Sequence, residues 1–525
     1  MEKIPSSTFK EIPDSPDQRD QWLALLLWIT LAVGTFIRFY GLGAESLWLD
    51  EAISYSDAHR SISSLLLSNF LPARGEINGA VYFLLLHLVT LVGSSEFALR
   101  SLSAVFGSIS IFLIYYLSTL LVSGRQGQKL GIYSAIFLAL SPFHLNLCQS
   151  VRGYSLLLLL ALGAMIFQVQ ALLRGRIRDF LGFIICSILI YHTHFLSIIF
   201  IGGQALLVSW YFIFNAEERG RFFLRWGFCY LLILAGIWKI LHSLQGFFVR
   251  SSAPADQHWW LTKMYGAPGF NELLGLIKIY AIGLIPDSNP LNYLYFLIPV
   301  LFLIGFISLR VKGGLFRSWE WSFGLFLFIV PVLTSLILSQ SENIFLAKYL
   351  FFTLPVLYLL AARGLLNLPI RIIPEIILVL SLLTPSYAIY RIHTVTDNPD
   401  WKNTVAKIIS ISEPGDIVTI NANYTHILFS YYSRNIPPDI CPKVYTMKNY
   451  SGDPQLAASE RARIGQDFDE ISRNFKRMWL ISSYTNDTDP LNLVETEAVS
   501  RYQVMLWWPG PPRLYLFILT TPSKR

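Results

Sequence analysis

Asp50 and Glu51 stand side by side in Leu47-Trp48-Leu49-Asp50-Glu51-Ala52, just after the first long apolar run of the 525-residue chain. Carboxylates at the edge of hydrocarbon are expensive unless they are paired, hydrated or used. One held there can take a proton from an acceptor hydroxyl or amine while a phosphate departs. The plainer reading, two solvated acids capping an interfacial helix, fits the spacing equally well. A second cluster follows Pro142-Phe143-His144, where Gln149, Arg152 and Tyr154 sit in one short turn. The planar guanidinium fork matches phosphate oxygens and can offset a leaving phosphate, although an arginine beside an apolar run also snorkels to lipid headgroups. His192 and His194, two apart in Tyr191-His192-Thr193-His194, can ligate a metal, bond a sugar or phosphate, or simply pack; a metal site needs further ligands than these two. Lys348, at the start of a later apolar run, offers a point charge for a phosphate or a helix anchor. Arg38 and Arg100 lie where basic residues are disfavoured, so anion pairing there would compensate them.

The elements that must position these residues are membrane helices. Hydrophobic residues make up 54% of the chain and charged ones 14%, against roughly 45–50% and about 25% in soluble domains. Runs of near 20 apolar residues, enough for about 30 Å of hydrocarbon, recur from Trp22 to Tyr390 and are absent from Arg391 to Arg525. The net charge of +7 is spread over short clusters between these runs, which fits membrane topology and not a nucleic-acid partner. The four cysteines form no disulfide or metal-binding pattern. The first run lacks a small-residue cleavage site, so it is expected to be retained.

Eleven spans are expected, at about 22–40, 98–121, 130–147, 154–173, 179–191, 195–214, 223–243, 292–309, 320–339, 346–362 and 370–390. Placing Gly79–Gly93 as an interfacial helix puts Arg125 and Lys129, Arg174 to Arg178, Arg219 to Arg225, Arg310 to Arg317, and Arg363 and Arg371 on one side, which the positive-inside rule makes cytoplasmic. The expected organisation is a cytoplasmic segment 1–21, a transmembrane module 22–390 with a first outer loop 41–97, and an extracytoplasmic domain 391–525. This last part reads as a small α/β domain, with a helix over Trp401–Ser412 and strands at Asp416–Asn421, Met478–Ser483 and Leu514–Thr520.

In order along the chain, several segments resemble one family, the polyprenyl-phosphate-sugar-dependent transferases of the GT-C fold, relatives of protein O-mannosyltransferases and of the lipid A aminoarabinose transferase. Ser46–Ala52 resembles the first-loop motif, Tyr82–His87 the juxtamembrane helix, Arg100–Gly107 the next span, and Leu140–Tyr154 the following outer turn. Tyr191–His194, Lys348–Leu350 and Asp400–Asp416 resemble later signatures. Where the family commonly carries a Pro-Pro-Leu-Tyr-like start to the juxtamembrane helix, this chain has Asn78-Gly79-Ala80-Val81-Tyr82. The resemblance implies inverting transfer from a polyprenyl monophosphate sugar to a protein, lipid or glycan acceptor outside the cytoplasm. It implies Asp50 as base with Glu51 beside it, and Arg152, Lys348 and Arg100 on the donor phosphate. His194 or Tyr154 would line the sugar pocket, with Gln149 and His192 in the same donor-binding set. It implies neither metal nor cofactor, and a bacterial inner membrane. The competing class is a transporter or flippase of lipid-linked saccharides, against which stand the absence of a repeat and the grouping of ionisable residues at outer ends.

Overall fold

The computed structural model describes residues 18–65, 79–215, 218–238, 245–246, 249, 252, 266–283, 289–307, 319–369, 372–395, 398–450 and 454–519. Most of the expected segment 1–21, the basic residues Arg310, Lys312, Arg317 and Arg371, and Asn78 fall outside them. The chain divides into two compact units: Met1–Tyr40, Ser61–Leu85 and Arg100–Thr394 form one, and Gly41–Arg60, Leu86–Leu99 and Val395–Arg525 the other.

The first unit is helical. Its main elements are α1 (Gln18–Phe39), then α2 to α14; of these, α2 (Leu49–Ala58) belongs to the second unit, and α3 (Ala80–Thr90) and α4 (Glu96–Leu121) run through both. Next come α5 (Gly124–Ala139), α6 (Pro142–Cys148), α7 (Tyr154–Arg174), α8 (Ile177–Thr193), α9 (Ile198–Asn215) and α10 (Arg219–Gly236). Then follow α11 (Phe270–Ile282), α12 (Leu297–Ile307), a helical stretch Trp319–Leu338, α13 (Leu354–Leu366) and α14 (Ile373–Thr394). Helix occupies each of the eleven stretches expected to span. Among the described residues, six helices are long and apolar enough to cross a bilayer, or seven if the bent pair α5 and α6 is one span. The remaining stretches hold shorter or less apolar helices, Leu291–Ile307 and Phe351–Leu366 among them.

Local sequence explains the irregularities. The expected span 130–147 bends by 63° between α5 and α6, because Pro142 at the head of α6 has no N–H to continue the ladder. The carbonyls this frees are taken by Arg38, which is fully buried and donates to the Leu138 and Ala139 oxygens at 3.0 and 3.1 Å. Arg38 is thus a structural strut, and its placement needs no anion. Pro331 likewise cannot donate to the Leu327 carbonyl, and a π-helical turn at Gly324–Ile329 absorbs the defect. Helices α12 and α13 touch backbone to backbone: a Cβ on Gly305 would collide with the Leu360 carbonyl, and one on Gly364 with that of Leu301. Small residues at such crossings allow the close packing that holds helices together in lipid.

The second unit is built on a five-stranded sheet of order β2-β1-β3-β5-β4, with β1 (Ile417–Ile420), β2 (Lys443–Thr446), β3 (Arg477–Ser482), β4 (Gln503–Trp508) and β5 (Arg513–Ile518). Strands β2, β1 and β3 are parallel, and β5 and β4 antiparallel. The expected strands are β1, β3 and β5, the buried interior; the two edge strands were not foreseen. Helix α15 (Trp401–Ile411) follows the expected Trp401–Ser412, and α16 (His426–Ser433), α17 (Ala457–Asn474) and α18 (Leu493–Arg501) complete the unit. Two pieces of the first loop pack into it. Leu47 N–H donates to the Tyr432 hydroxyl at 2.6 Å, Ser46 Oγ bonds Asp400 at 3.2 Å, and Tyr55 of α2 meets Tyr431 of α16 at 4.8 Å.

Candidate active site

The first unit gathers the cationic residues. Arg152 lies in the turn between α6 and α7, and its guanidinium is 6.0 Å from the Tyr154 ring centre; Lys348 Nζ approaches the same ring from 5.9 Å and the Tyr349 ring from 5.8 Å. These are cation–π distances, and they set two positive charges about one phenol. His194 completes the group, its ring 4.9 Å from Tyr349 and 6.1 Å from Tyr154. It is 5% exposed, and neither ring nitrogen has a hydrogen-bond partner among the described residues. Burial, with Arg152 and Lys348 adding to it, pushes His194 down to about 3, so the ring is a neutral imidazole with one N–H and one lone pair to offer.

Both cations are held by their surroundings. The Arg152 carbonyl accepts from Ser103 Oγ at 3.2 Å, which bonds the buried Tyr82 hydroxyl at 3.0 Å. Gly79 N–H donates to the Thr193 carbonyl at 3.0 Å with φ of +94°. A proline there has no N–H to give, so the departure from the family's prolines is matched by a tether to the α8 end. On the other side, Tyr280 of α11 donates to the Ala347 carbonyl at 3.1 Å, and Tyr358 of α13 donates to the Tyr280 carbonyl at 2.7 Å. Tyr280 therefore braces the segment carrying Lys348, a role its sequence surroundings did not signal.

The other expected donor-binding residues are placed differently. Gln149 Nε2 donates to the Ile37, Arg38 and Tyr40 carbonyls at 3.2, 3.2 and 3.0 Å, capping the end of α1. His192 Nε2 donates to the Gly236 carbonyl at 3.0 Å, tying α8 to α10. Arg100 is 4% exposed near the start of α4. No group of three potential metal ligands occurs among the described residues.

The acid pair lies in the second unit, in the first turn of α2. Glu51 is fully buried, and its Oε2 accepts the Trp48 N–H at 3.2 Å, closing the helix start from inside. Asp50 is half-buried in the same turn. The two acids are thus divided by geometry, one spent on the cap and the other at the surface of the turn.

A helical membrane module followed in the chain by a small mixed-sheet unit is the architecture of the GT-C fold. Residues 79–241 match the family model of dolichyl-phosphate-mannose-protein mannosyltransferases, less than half of the chain. Among solved structures, the chain is similar to ArnT from Cupriavidus metallidurans bound to undecaprenyl phosphate, at 13% identity and a TM-score of 0.59, covering 95% of this chain and 98% of that one. It also resembles the Archaeoglobus fulgidus oligosaccharyltransferase in the apo form, at 10% identity and a TM-score of 0.54, covering 97% and 76%. The oligosaccharyltransferase AglB from Archaeoglobus fulgidus, in complex with an inhibitory peptide and a dolichol-phosphate, matches at 11% and 0.51, covering 97% and 75%. No curated protein sequence matches. The resemblance drawn from sequence motifs and these likenesses agree on the fold.

Proposed function

We propose that this protein is an inverting glycosyltransferase that moves a sugar from a polyprenyl monophosphate carrier to an acceptor on the extracytoplasmic side of a bacterial inner membrane. The observation that carries the reading is His194, a buried neutral imidazole whose ring nitrogens have no hydrogen-bond partner among the described residues, beside Arg152 and Lys348. That combination suits an anion next to a hydroxyl-bearing group, which is the head of a sugar phosphate. It is supported by the undecaprenyl phosphate and dolichol-phosphate bound by the similar proteins.

Asp50 is the proposed base. Its carboxylate takes the acceptor proton, the acceptor oxygen attacks the anomeric carbon, and the bond from that carbon to the phosphate oxygen breaks with its electron pair on the departing polyprenyl phosphate. Attack opposite the leaving group inverts the configuration. Arg152 and Lys348, with Arg100, offset the charge that grows on the phosphate, and Tyr154 and His194 line the sugar side. Glu51 keeps the base in place by holding the turn.

The test is transfer of radiolabelled sugar from a panel of synthetic polyprenyl monophosphate sugars by purified protein in lipid, with membrane extract as acceptor. Wild type is expected to label a product, Asp50→Asn to lose transfer by at least about 100-fold, and excess EDTA to leave the rate unchanged. A well-folded Asp50→Asn protein with full transfer overturns the assignment.

A further inference from the structure

The second unit contains a cleft at the carboxyl end of β3, about 470 Å³ in volume, whose lining includes Ser482, Ser483, Tyr484, Thr485, Pro511 and Arg513. The carboxyl ends of parallel strands are where open α/β sheets bind ligands, and the volume falls in the range of small-molecule sites, about 300–1,000 Å³. Tyr484 adopts a left-handed backbone, φ 49°, unfavourable for a residue with a side chain. Its ring is set edge-on to Tyr424 at 6.0 Å, and its phenol feels the charge of Asp50. Tyr484 thus links the lining of the cleft to the turn that carries the proposed base, within one compact unit.

The lining chemistry selects the ligand. Ser482, Ser483 and Thr485 bring hydroxyls to the lining, and Tyr484 with Pro399, Pro509 and Pro511 brings ring faces, the mixture that bonds sugar hydroxyls and stacks on sugar rings. Arg513 is engaged by Glu495 at 2.9 Å, Asn492 at 3.1 Å and the Ser482 hydroxyl at 3.4 Å, so a neutral ligand matches the cleft better than an anion. The cleft opens at strand ends, and β3 and β5 are paired on both sides, so no free sheet edge is offered to an extended peptide.

We infer that this cleft is the acceptor subsite and that it takes an uncharged saccharide, presenting one hydroxyl past Tyr484 to Asp50. This rests on the glycosyltransferase reading, and its test is kept separate from transfer. Saturation-transfer NMR on the full-length protein would be run with a panel of neutral mono- to trisaccharides of glucose, mannose, galactose and N-acetylglucosamine, and with a serine- and threonine-containing peptide as the competing ligand. At least one saccharide is expected to bind, with the signal falling about fivefold or more in Tyr484→Ala and in Gly510→Trp. At Gly510 a Cβ meets nothing within 4 Å, so the tryptophan blocks the cleft without disturbing packing and covers the case in which Tyr484→Ala fails to fold. Binding of no saccharide, binding that survives Gly510→Trp, or binding of the peptide alone overturns the inference. If saccharide binding fails while Asp50-dependent transfer stands, only the cleft assignment falls; if binding stands and transfer does not depend on Asp50, only the enzyme reading falls.

Discussion

At the residue scale, each polar group in the membrane module answers to the same demand: in a medium without water, a charge or an N–H must find a partner. Arg38 and Gln149 answer it with backbone carbonyls, whereas His194 has both ring nitrogens open among the described residues. His194 should therefore reveal itself through pH. Its folded value, about 3, lies below the ordinary 6.5, so the unfolded chain binds a proton first. Stability is undiminished above about pH 6.5 and declines as pH falls from there toward 3. Thermal unfolding in detergent across that window, compared with His194→Asn, should show the variant losing less on acidification. Lys348→Ala should raise the donor KM by about 10-fold or more, the worth of a hydrogen bond to a charged group, and Lys348→Arg should recover part of it. An unchanged KM in Lys348→Ala would remove that residue from the donor site.

At the scale of elements, the close crossing of α12 and α13 and the brace at Tyr280 make distinct predictions. Gly305→Val would push a branched side chain into the Leu360 carbonyl and part the helices, so a large drop in unfolding temperature is expected, with overpacking of this kind costing about 1–3 kcal/mol. Tyr280→Phe removes one hydroxyl from beneath Ala347. The loss of about 1 kcal/mol should appear as a several-fold rise in donor KM with kcat nearly unchanged, and a purely structural role would instead lower the unfolding temperature and leave KM alone.

What the sequence made legible follows the same division. Apolar runs located all eleven helical stretches, because length and hydropathy are local properties. The bend between α5 and α6 hinges on Pro142, a visible signal. Arg38 was misread because its partners, Leu138 and Ala139, lie about a hundred residues away. Strands β1, β3 and β5 were found as continuous buried runs. Strand β2, Lys-Val-Tyr-Thr, is mostly exposed and too short to announce itself, and β4 carries its apolar residues on an exposed edge. The cations Arg152 and Lys348 were singled out from residue type, and their convergence on one tyrosine depends on contacts that no window of sequence contains.

At the scale of the whole molecule, parts of the first loop and the last quarter of the chain are one compact unit, which changes what truncation means. A chain ending at Thr394 loses Tyr432, Asp400 and Tyr431, the partners of Leu47, Ser46 and Tyr55. Such a protein should remain in the membrane, yet limited proteolysis should cut it within Gly41–Arg60, where the full-length chain resists. Transfer should be lost as completely as in Asp50→Asn. Retained protection of that segment would show that it holds its form without the tail.

The pairing of Ser46 with Asp400 also has a consequence in time. The two are 354 residues apart, and at about 5–20 residues per second a ribosome needs tens of seconds to travel between them. Throughout that interval the turn bearing Asp50 has been made and its supports have not. On the proposed function, competence then arrives late and all at once, so a nascent or stalled chain, already threaded into the bilayer and surrounded by activated lipid carriers, would not begin to spend them.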